Sequence, residues 1–287
     1  MRFRGTMAAV VAVTATLGGP NLASSWAASH RHKPKPSKRE QAIPDPFTTG
    51  AMNAFLASRQ GNVTAAAEDL LTGRTFVYHP FTREQTASII KVNILETLLR
   101  QVQERNSWLS SSQLVLAQGM IENSNNDDAT ALFNQEGGAG ALAAFDARLA
   151  MDQTTPNVAW GLTTTTAGNQ IKLLQQLVLQ HSLLDQRARQ YQLGLMSHVE
   201  SDQHWGVSGG VPPGVLIALK NGWLPVPGGW QVNSIGRIRG DGRWYLIAVM
   251  TNGNSTEGYG IDTIQGISSL VWRDFAPRRA AHHHHHS

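Results

Sequence analysis

"TASIIKVNIL", residues 86–95, is the stretch on which the reading of this chain turns. Its apolar residues recur at helical spacing, with Ile90, Ile94 and Leu98 flanked by Ile89, Val92, Leu95 and Leu99. Ser88 and Lys91 lie three positions apart in it, so on a helix they point the same way. Two polar groups in so apolar a run are either the solvated edge of a buried helix or a nucleophile beside its base. Alone, S-x-x-K decides nothing, because ordinary Ser and Lys usage gives roughly one such spacing in a chain of this length.

The rest of the chain narrows the choice. Its 287 residues suffice for one large domain or two modest ones, and 41% hydrophobic residues permit a sizeable core. There is no cysteine, which excludes disulfides, thiolate chemistry and Cys-ligated metal. Arg2 and Arg4, the short apolar run "TMAAVVAVTATLGG" and the small residues of "SSWAA" read as a signal peptide over 1–27, cleaved after about Ala27. The protein is therefore expected outside the cytoplasm, with no stable membrane span after processing, since the apolar run is too short to cross a bilayer comfortably. Residues 28–43, with "HRHKPKPSKREQ", read as a basic, Pro-rich extended linker. The folded unit is expected over 44–276, and the tail 277–287 ends in a histidine run that resembles a purification tag.

The net charge of +4 is a property of the leader. Residues 1–41 hold seven Lys/Arg and one Glu, leaving 17 Lys/Arg against 19 Asp/Glu in the remainder. A near-neutral domain gives no electrostatic argument for a nucleic-acid partner.

The hydrophobic period changes along the chain. An early helix is expected in "FTTGAMNAFLASRQ", and two strands around the turn "LTGR". A long helix follows from about Ser88 to Arg105, then helices broken at "NSNN" and "EGGAG". "TTTTAGNQIKLLQQLVLQHSLL" and "QRARQYQLGLMSHV" read as two more helices. "GVLIALKNGW", "GWQVNSIGRIRG" and "RWYLIAVMTNG" are strand-like, with a hairpin signal at Gly240-Asp241-Gly242. A final helix is expected over "TIQGISSLVWRDF". Strands at both ends and helices in the middle predict an α+β, two-lobed fold: an antiparallel sheet flanked by helices, plus an all-helical lobe. A functional site is expected in the cleft between lobes.

Two further stretches raise the significance of Ser88 and Lys91. "NSNNDD" sets Ser124 and Asn126 on a polar turn that opens a helix, and "ALKNGW" sets Lys220 and Gly222 on an otherwise apolar strand. The ordered set S-x-x-K, S-x-N, K-x-G resembles the class A β-lactamase and penicillin-binding serine hydrolase superfamily over nearly the whole chain after the leader. Singly, these residues have ordinary readings: helix caps at Ser88, Ser124 and Asn126, and solvated amines at Lys91 and Lys220. As an ordered set in matching helix and strand contexts, they favour chemistry.

A serine hydroxyl needs a base to become a nucleophile. Lys91 can supply one if burial and a second cation, Lys220, lower its pKa. Ser124 can relay a proton to the leaving nitrogen, with Lys220 holding it. Asn126 can donate to the substrate's side-chain amide. The resemblance further implies an oxyanion site of the Ser88 and Trp223 backbone N–H groups, and Lys220 and Asn221 facing a substrate carboxylate.

The chain departs from the family pattern in three places. The loop "MDQTTPNVAWGLTTTTAG" lacks the glutamate that activates the deacylating water in class A enzymes, and Asp152 is its only acid. Asn221 replaces the hydroxyl residue of K-T-G. Val232 stands where an arginine often follows on the neighbouring strand, with Arg237 and Arg239 further along.

The expectation is thus a secreted serine hydrolase acylated on Ser88 by a β-lactam or peptidoglycan-like amide, releasing it slowly. An acyltransferase or esterase on the same fold is the first alternative, and a weakly catalytic binder of β-lactams or cell-wall peptides the second. A monomer acting on a small molecule, with no cofactor and no metal, is expected. His198, Glu200, Asp202 and His204 of "SHVESDQHWG" read as a polar rim rather than a metal site, with His204 a possible stand-in base. Trp223 and Trp230 read either as core packing or as an aromatic lip for an apolar substrate group.

Overall fold

The computed structural model describes residues 43–277. The stretches read as signal peptide and histidine tail, and nearly all of the stretch read as linker, lie outside the described residues. Thr49 caps α1 (Gly50–Ala57), its hydroxyl accepting from the Met52 N–H. β1 (Asn62–Asp69) and β2 (Arg74–Tyr78) form the first hairpin. β3 (Glu84–Gln85) leads into a 3-10 turn, Ala87–Ile89, which runs straight into α2 (Ile90–Glu104). A capping box of Ser110 and Gln113 opens α3 (Ser111–Glu122). Asn125 caps α4 (Asn126–Glu136), and Gly137, at φ 105°, turns the chain into α5 (Gly138–Arg148).

A loop carrying β4 (Thr164–Thr165) returns to pair with β3 and leads to α6 (Ala167–Val178). α7 (Gln186–Met196), capped by Asp185, precedes the strands β5 (Leu216–Val226), β6 (Gly229–Gly240) and β7 (Arg243–Asn254). α8 (Glu257–Asp274), capped by Thr256, closes the fold. Asp241 and Gly242 both take positive φ, as the tight β6–β7 hairpin requires.

The five-stranded antiparallel sheet has the order β2-β1-β7-β6-β5, so the two ends of the chain interleave. Both faces are covered. Ala67, Ile238, Ile247 and Val249 pack with Ile264, Ile267 and Val271 of α8. Ala66, Ala218, Ile235 and Ala248 pack with Ile89, Ile94 and Leu98 of the α2 region. This explains why β7 reads as a continuous apolar run, buried from Tyr245 to Met250, rather than alternating.

Two helix boundaries differ from the sequence reading. The helix expected to continue through "VLQHSLL" stops at Val178, because the Gln176 side chain and carbonyl accept from the Leu183 N–H and Ser182 Oγ and hold the turn. The last helix begins at Glu257, ahead of the expected start, under the Thr256 cap.

The helical lobe encloses three carboxyl groups: Glu96 on α2, Glu136 on α4 and Asp146 on α5. Asn93 Nδ2 donates to Asp146 Oδ1 at 2.7 Å, while Asp146 Oδ2 and both oxygens of Glu96 and of Glu136 have no hydrogen-bond partner.

Candidate active site

Ser88 sits at the middle of the 3-10 turn, half-exposed, with apolar Ile89 and Ile90 anchored beneath it. Ala87 before it is held at φ 47°, a conformation that disfavours a side chain and that surrounding packing must impose. The outer edge of β5 presses on this turn at Gly222. A Cβ there would lie 2.6 Å from Ser88 N and 2.7 Å from Ile89 N, so only glycine permits the approach. The edge strand and the nucleophile's backbone N–H are therefore neighbours.

Lys91, one turn on from Ser88 and the second residue of α2, is fully buried and directs its side-chain amine at the start of α4. Its Nζ donates to Ser124 O at 2.6 Å, to Asn126 Oδ1 at 2.7 Å and to Ser124 Oγ at 3.1 Å. Ser124 takes φ 54°, immediately before the Asn125 cap, and so presents both its carbonyl and its hydroxyl to Lys91. Lys220, also fully buried, donates from β5 to the same Ser124 Oγ at 2.9 Å and to Asn221 O at 3.0 Å. One hydroxyl thus stands between two buried amines.

Two cations that close, about 6 Å apart at most, repel by roughly 3 kcal/mol at an effective dielectric of 20. Burial lowers the Lys91 pKa to about 7 against a small opposing pull from Asp128. Burial, then the neighbouring Lys91, pushes Lys220 well below its ordinary value. The expectation that Lys220 lowers the pKa of Lys91 is replaced by the reverse: burial is what depresses Lys91, and the charge effect falls on Lys220 from Lys91. A neutral amine at this position can accept the proton of a hydroxyl, and Ser124 can pass one onward.

The cleft over Ser88 has a volume of about 330 Å³ and is lined by Ala87, Asn126, Trp160, Leu162, Trp223 and Leu224, among others. Among the described residues no carboxylate lines it. With Asn126 Oδ1 engaged by Lys91, that side chain offers the cleft its NH2 donors. Trp223 forms one wall and meets Trp205 edge-on at 5.7 Å. Trp230 is paired with Pro225 on the sheet, partly buried in the α8-side core, and does not line the cleft.

Trp160, which sequence reasoning did not single out, holds its ring over Lys91 Nζ at 5.0 Å from the centroid. Its indole N–H donates to Thr130 Oγ1 on α4 at 3.2 Å. The loop carrying it is pinned beside the nucleophile: Thr86 N–H donates to Thr163 O at 2.8 Å and Asn157 N–H to Thr163 Oγ1 at 3.1 Å. The available signal was compositional, a tryptophan in a loop that lacks its expected acid.

Other sequence candidates fall elsewhere. Asn221 does not face the cleft: its Nδ2 donates to the Gln203 and Trp205 carbonyls at 2.7 and 3.1 Å, and it is buried. The reason is strand alternation, which puts it on the opposite face from Lys220 and Gly222. Arg237 pairs with Ala218 on β5, four positions from Gly222 and so roughly 13 Å along the strand. It cannot replace an arginine at Val232, which is itself core. Asp152 is 81% exposed with Lys172 Nζ 3.9 Å away, and His204 lines a separate groove with His198 and Pro212. Glu200 accepts from Asn123 Nδ2. Among the described residues no cluster of three or more His, Cys, Asp or Glu could hold a metal ion.

A sequence model of the beta-lactamase enzyme family matches residues 109–275. No curated protein matches the sequence. Among solved structures, a class A beta-lactamase from Mycobacterium abscessus superposes with a TM-score of 0.68 at 23% identity, covering 78% of this chain and 97% of that one. A class A beta-lactamase representative from Bacteroides cellulosilyticus gives 0.69 at 17% identity, covering 77% of this chain and 94% of that one. A mutant of PBP-A, seen as its acyl-enzyme complex with penicillin G, gives 0.68 at 20% identity, covering 78% and 94%. These likenesses are likenesses of fold, and they match the expected α+β architecture.

Proposed function

The chain belongs to the beta-lactamase enzyme family, and from that premise we propose that it is an extracytoplasmic active-site-serine hydrolase, acylated on Ser88 by a β-lactam or peptidoglycan-like amide and slow to release the acyl group. The observation that carries the reading is the single hydroxyl, Ser124 Oγ, held at 3.1 and 2.9 Å by two buried lysines beside the turn of Ser88.

In the reaction, neutral Lys91 takes the Ser88 proton as Oγ attacks the carbonyl carbon. The oxyanion forms at the junction of the Ser88 turn with β5, where backbone N–H groups can receive it. The C–N bond then breaks, and Lys91 returns the proton through Ser124 to the leaving nitrogen, so the amide bond is exchanged for an ester. Lys220 keeps Ser124 oriented throughout.

Incubation with benzylpenicillin should add one penicilloyl mass to the intact protein, located on the Ser88 peptide, and Ser88→Ala should abolish it. An equally labelled alanine variant refutes the assignment. The mostly apolar lining of the cleft favours a second reading, an esterase or acyltransferase. Turnover of p-nitrophenyl esters without lactam adducts would select it.

A further inference from the structure

Hydrolysis of an acyl-Ser88 ester needs a water at the acyl carbon and a base to take its proton. The oxygen of that water would bond to the acyl carbon, the bond to Ser88 Oγ would break, and the proton would end on Oγ. Among the described residues no carboxylate lines the cleft, so among the groups around Ser88 the base would have to be Lys91. Lys91 Nζ lies within hydrogen-bond distance of Ser124 O, Ser124 Oγ and Asn126 Oδ1, all on the α4 side, and as the neutral amine it donates to two of them and keeps a lone pair for a proton. Trp160 stands over this same nitrogen and also lines the cleft with Ser88.

We infer that Trp160 is a positioning residue that shields the Ser88 ester, its ring filling the place from which Lys91 would activate water. The inference rests on the proposed acylation of Ser88 and adds a specific cause for slow release. The ring is not a loose lid. Its N–H is tied to Thr130 Oγ1, which in turn donates to Asn126 O at 2.9 Å. The backbone just before it is held by the Ala159 N–H to Asn157 Oδ1 bond of 2.8 Å, and Thr163 just after it accepts from the Thr86 N–H. Both edges of the shield are thus tied to elements that also carry the nucleophile and the S-x-N helix. The indole presents carbon to the cleft and has no acceptor to orient a water, so water is excluded rather than held.

The test separates acylation from release. Wild type, Trp160→Ala, Trp160→Phe and Thr130→Val are mixed with benzylpenicillin, and adduct formation and decay are followed by intact mass. Trp160→Ala, whatever its rate of acylation, should lose the adduct once formed on the order of 10²-fold faster, the low end of what an admitted base supplies. Trp160→Phe, which keeps an aromatic ring, should keep a lifetime close to wild type. Thr130→Val, which frees the indole, should shorten it. Unchanged lifetimes in both Trp160→Ala and Thr130→Val overturn the inference, as does a Trp160→Phe adduct that decays as fast as that of Trp160→Ala. If Trp160→Ala does not fold, the Thr130→Val lifetime decides. A wild-type protein that forms no adduct refutes acylation of Ser88 by lactams, and the shield that rests on it, whereas a normal adduct insensitive to all three changes refutes the shield alone.

Discussion

Protonation of the three enclosed carboxyl groups should make this protein more stable at pH 5 than at pH 7. Burial raises the pKa of Glu96 and of Glu136 well above the ordinary range, with Asp146 adding like-charge repulsion to each. Burial also raises Asp146 from 3.8 to about 6, against the Asn93 hydrogen bond. A folded-state pKa above the unfolded value means the folded protein binds more protons in the interval between them. The associated stability is complete below about pH 4 and is lost as pH rises through about 6. For Asp146 the whole shift is about two units, ~3 kcal/mol, of which about half, ~1.4 kcal/mol, is lost between pH 5 and pH 7, and the two glutamates act in the same direction. For a domain of this size the Asp146 part alone corresponds to roughly 3–6 °C in Tm between pH 5 and pH 7. The depressed lysines act with the opposite sign: Lys91 does so from about pH 7 upward, and Lys220, pushed well below its ordinary value, offsets part of the carboxyl effect. Thermal melts followed by circular dichroism at pH 5, 6 and 7 measure the slope. Glu96→Gln should flatten it and raise the pH 7 melting temperature, because the amide keeps the shape without the charge. A wild-type Tm equal or higher at pH 7 than at pH 5, together with a Glu96→Gln variant less stable at pH 7, would show that this reasoning about burial is wrong.

The acylation rate of Ser88 should rise with pH through about 7 as Lys91 loses its proton, measured by adduct formation under single-turnover conditions. A flat profile between pH 6 and 8 would remove Lys91 from the role of base. Lys91→Ala should slow the same step by about 10²–10⁴-fold while leaving the circular dichroism spectrum intact. Gly222→Ala forces a methyl to within 2.6 Å of Ser88 N and should cost about 1–3 kcal/mol in urea unfolding, along with loss of labelling. A fully labelled Gly222→Ala protein would mean that the strand can withdraw from the turn.

The gathering of Ser88, Lys91, Ser124 and Lys220 was legible because Lys91 and Lys220 lie on elements with a clear period, Ser88 and Ser124 stand on the turns that open helices, and their order along the chain matched a known arrangement. Asn221 was misplaced although the same strand period assigns it to the other face, so that reading gave motif position precedence over alternation. Arg237 required the β5–β6 register, which a sequence does not print. Trp160 was missed because loops have no period, and the loop is fixed by pairing with residues 84–86, far back in the chain. The start of α8 was obscured by Gly258 and Gly260, which read as a turn. Gly260 is there because a Cβ would come within 2.5 Å of Val232 Cγ2, so the helix can lie directly on the sheet.

The interleaving of the sheet sets an order of events during synthesis. β1 has β2 on one side, but its other neighbour, β7, joins Val63 to Thr251 and Ala66 to Ala248 across most of the chain. A growing polypeptide therefore completes every helix of the middle lobe before the central strand of its sheet exists. Until β7 is made, the β1–β2 hairpin is a two-stranded ribbon with an open apolar edge, a form with little stability in water. Such long-range pairing makes folding slow and leaves the nascent chain exposed to association. Ser88 cannot be set against Gly222 until β5 has emerged, so the nucleophile is assembled only after more than three quarters of the sequence has been read.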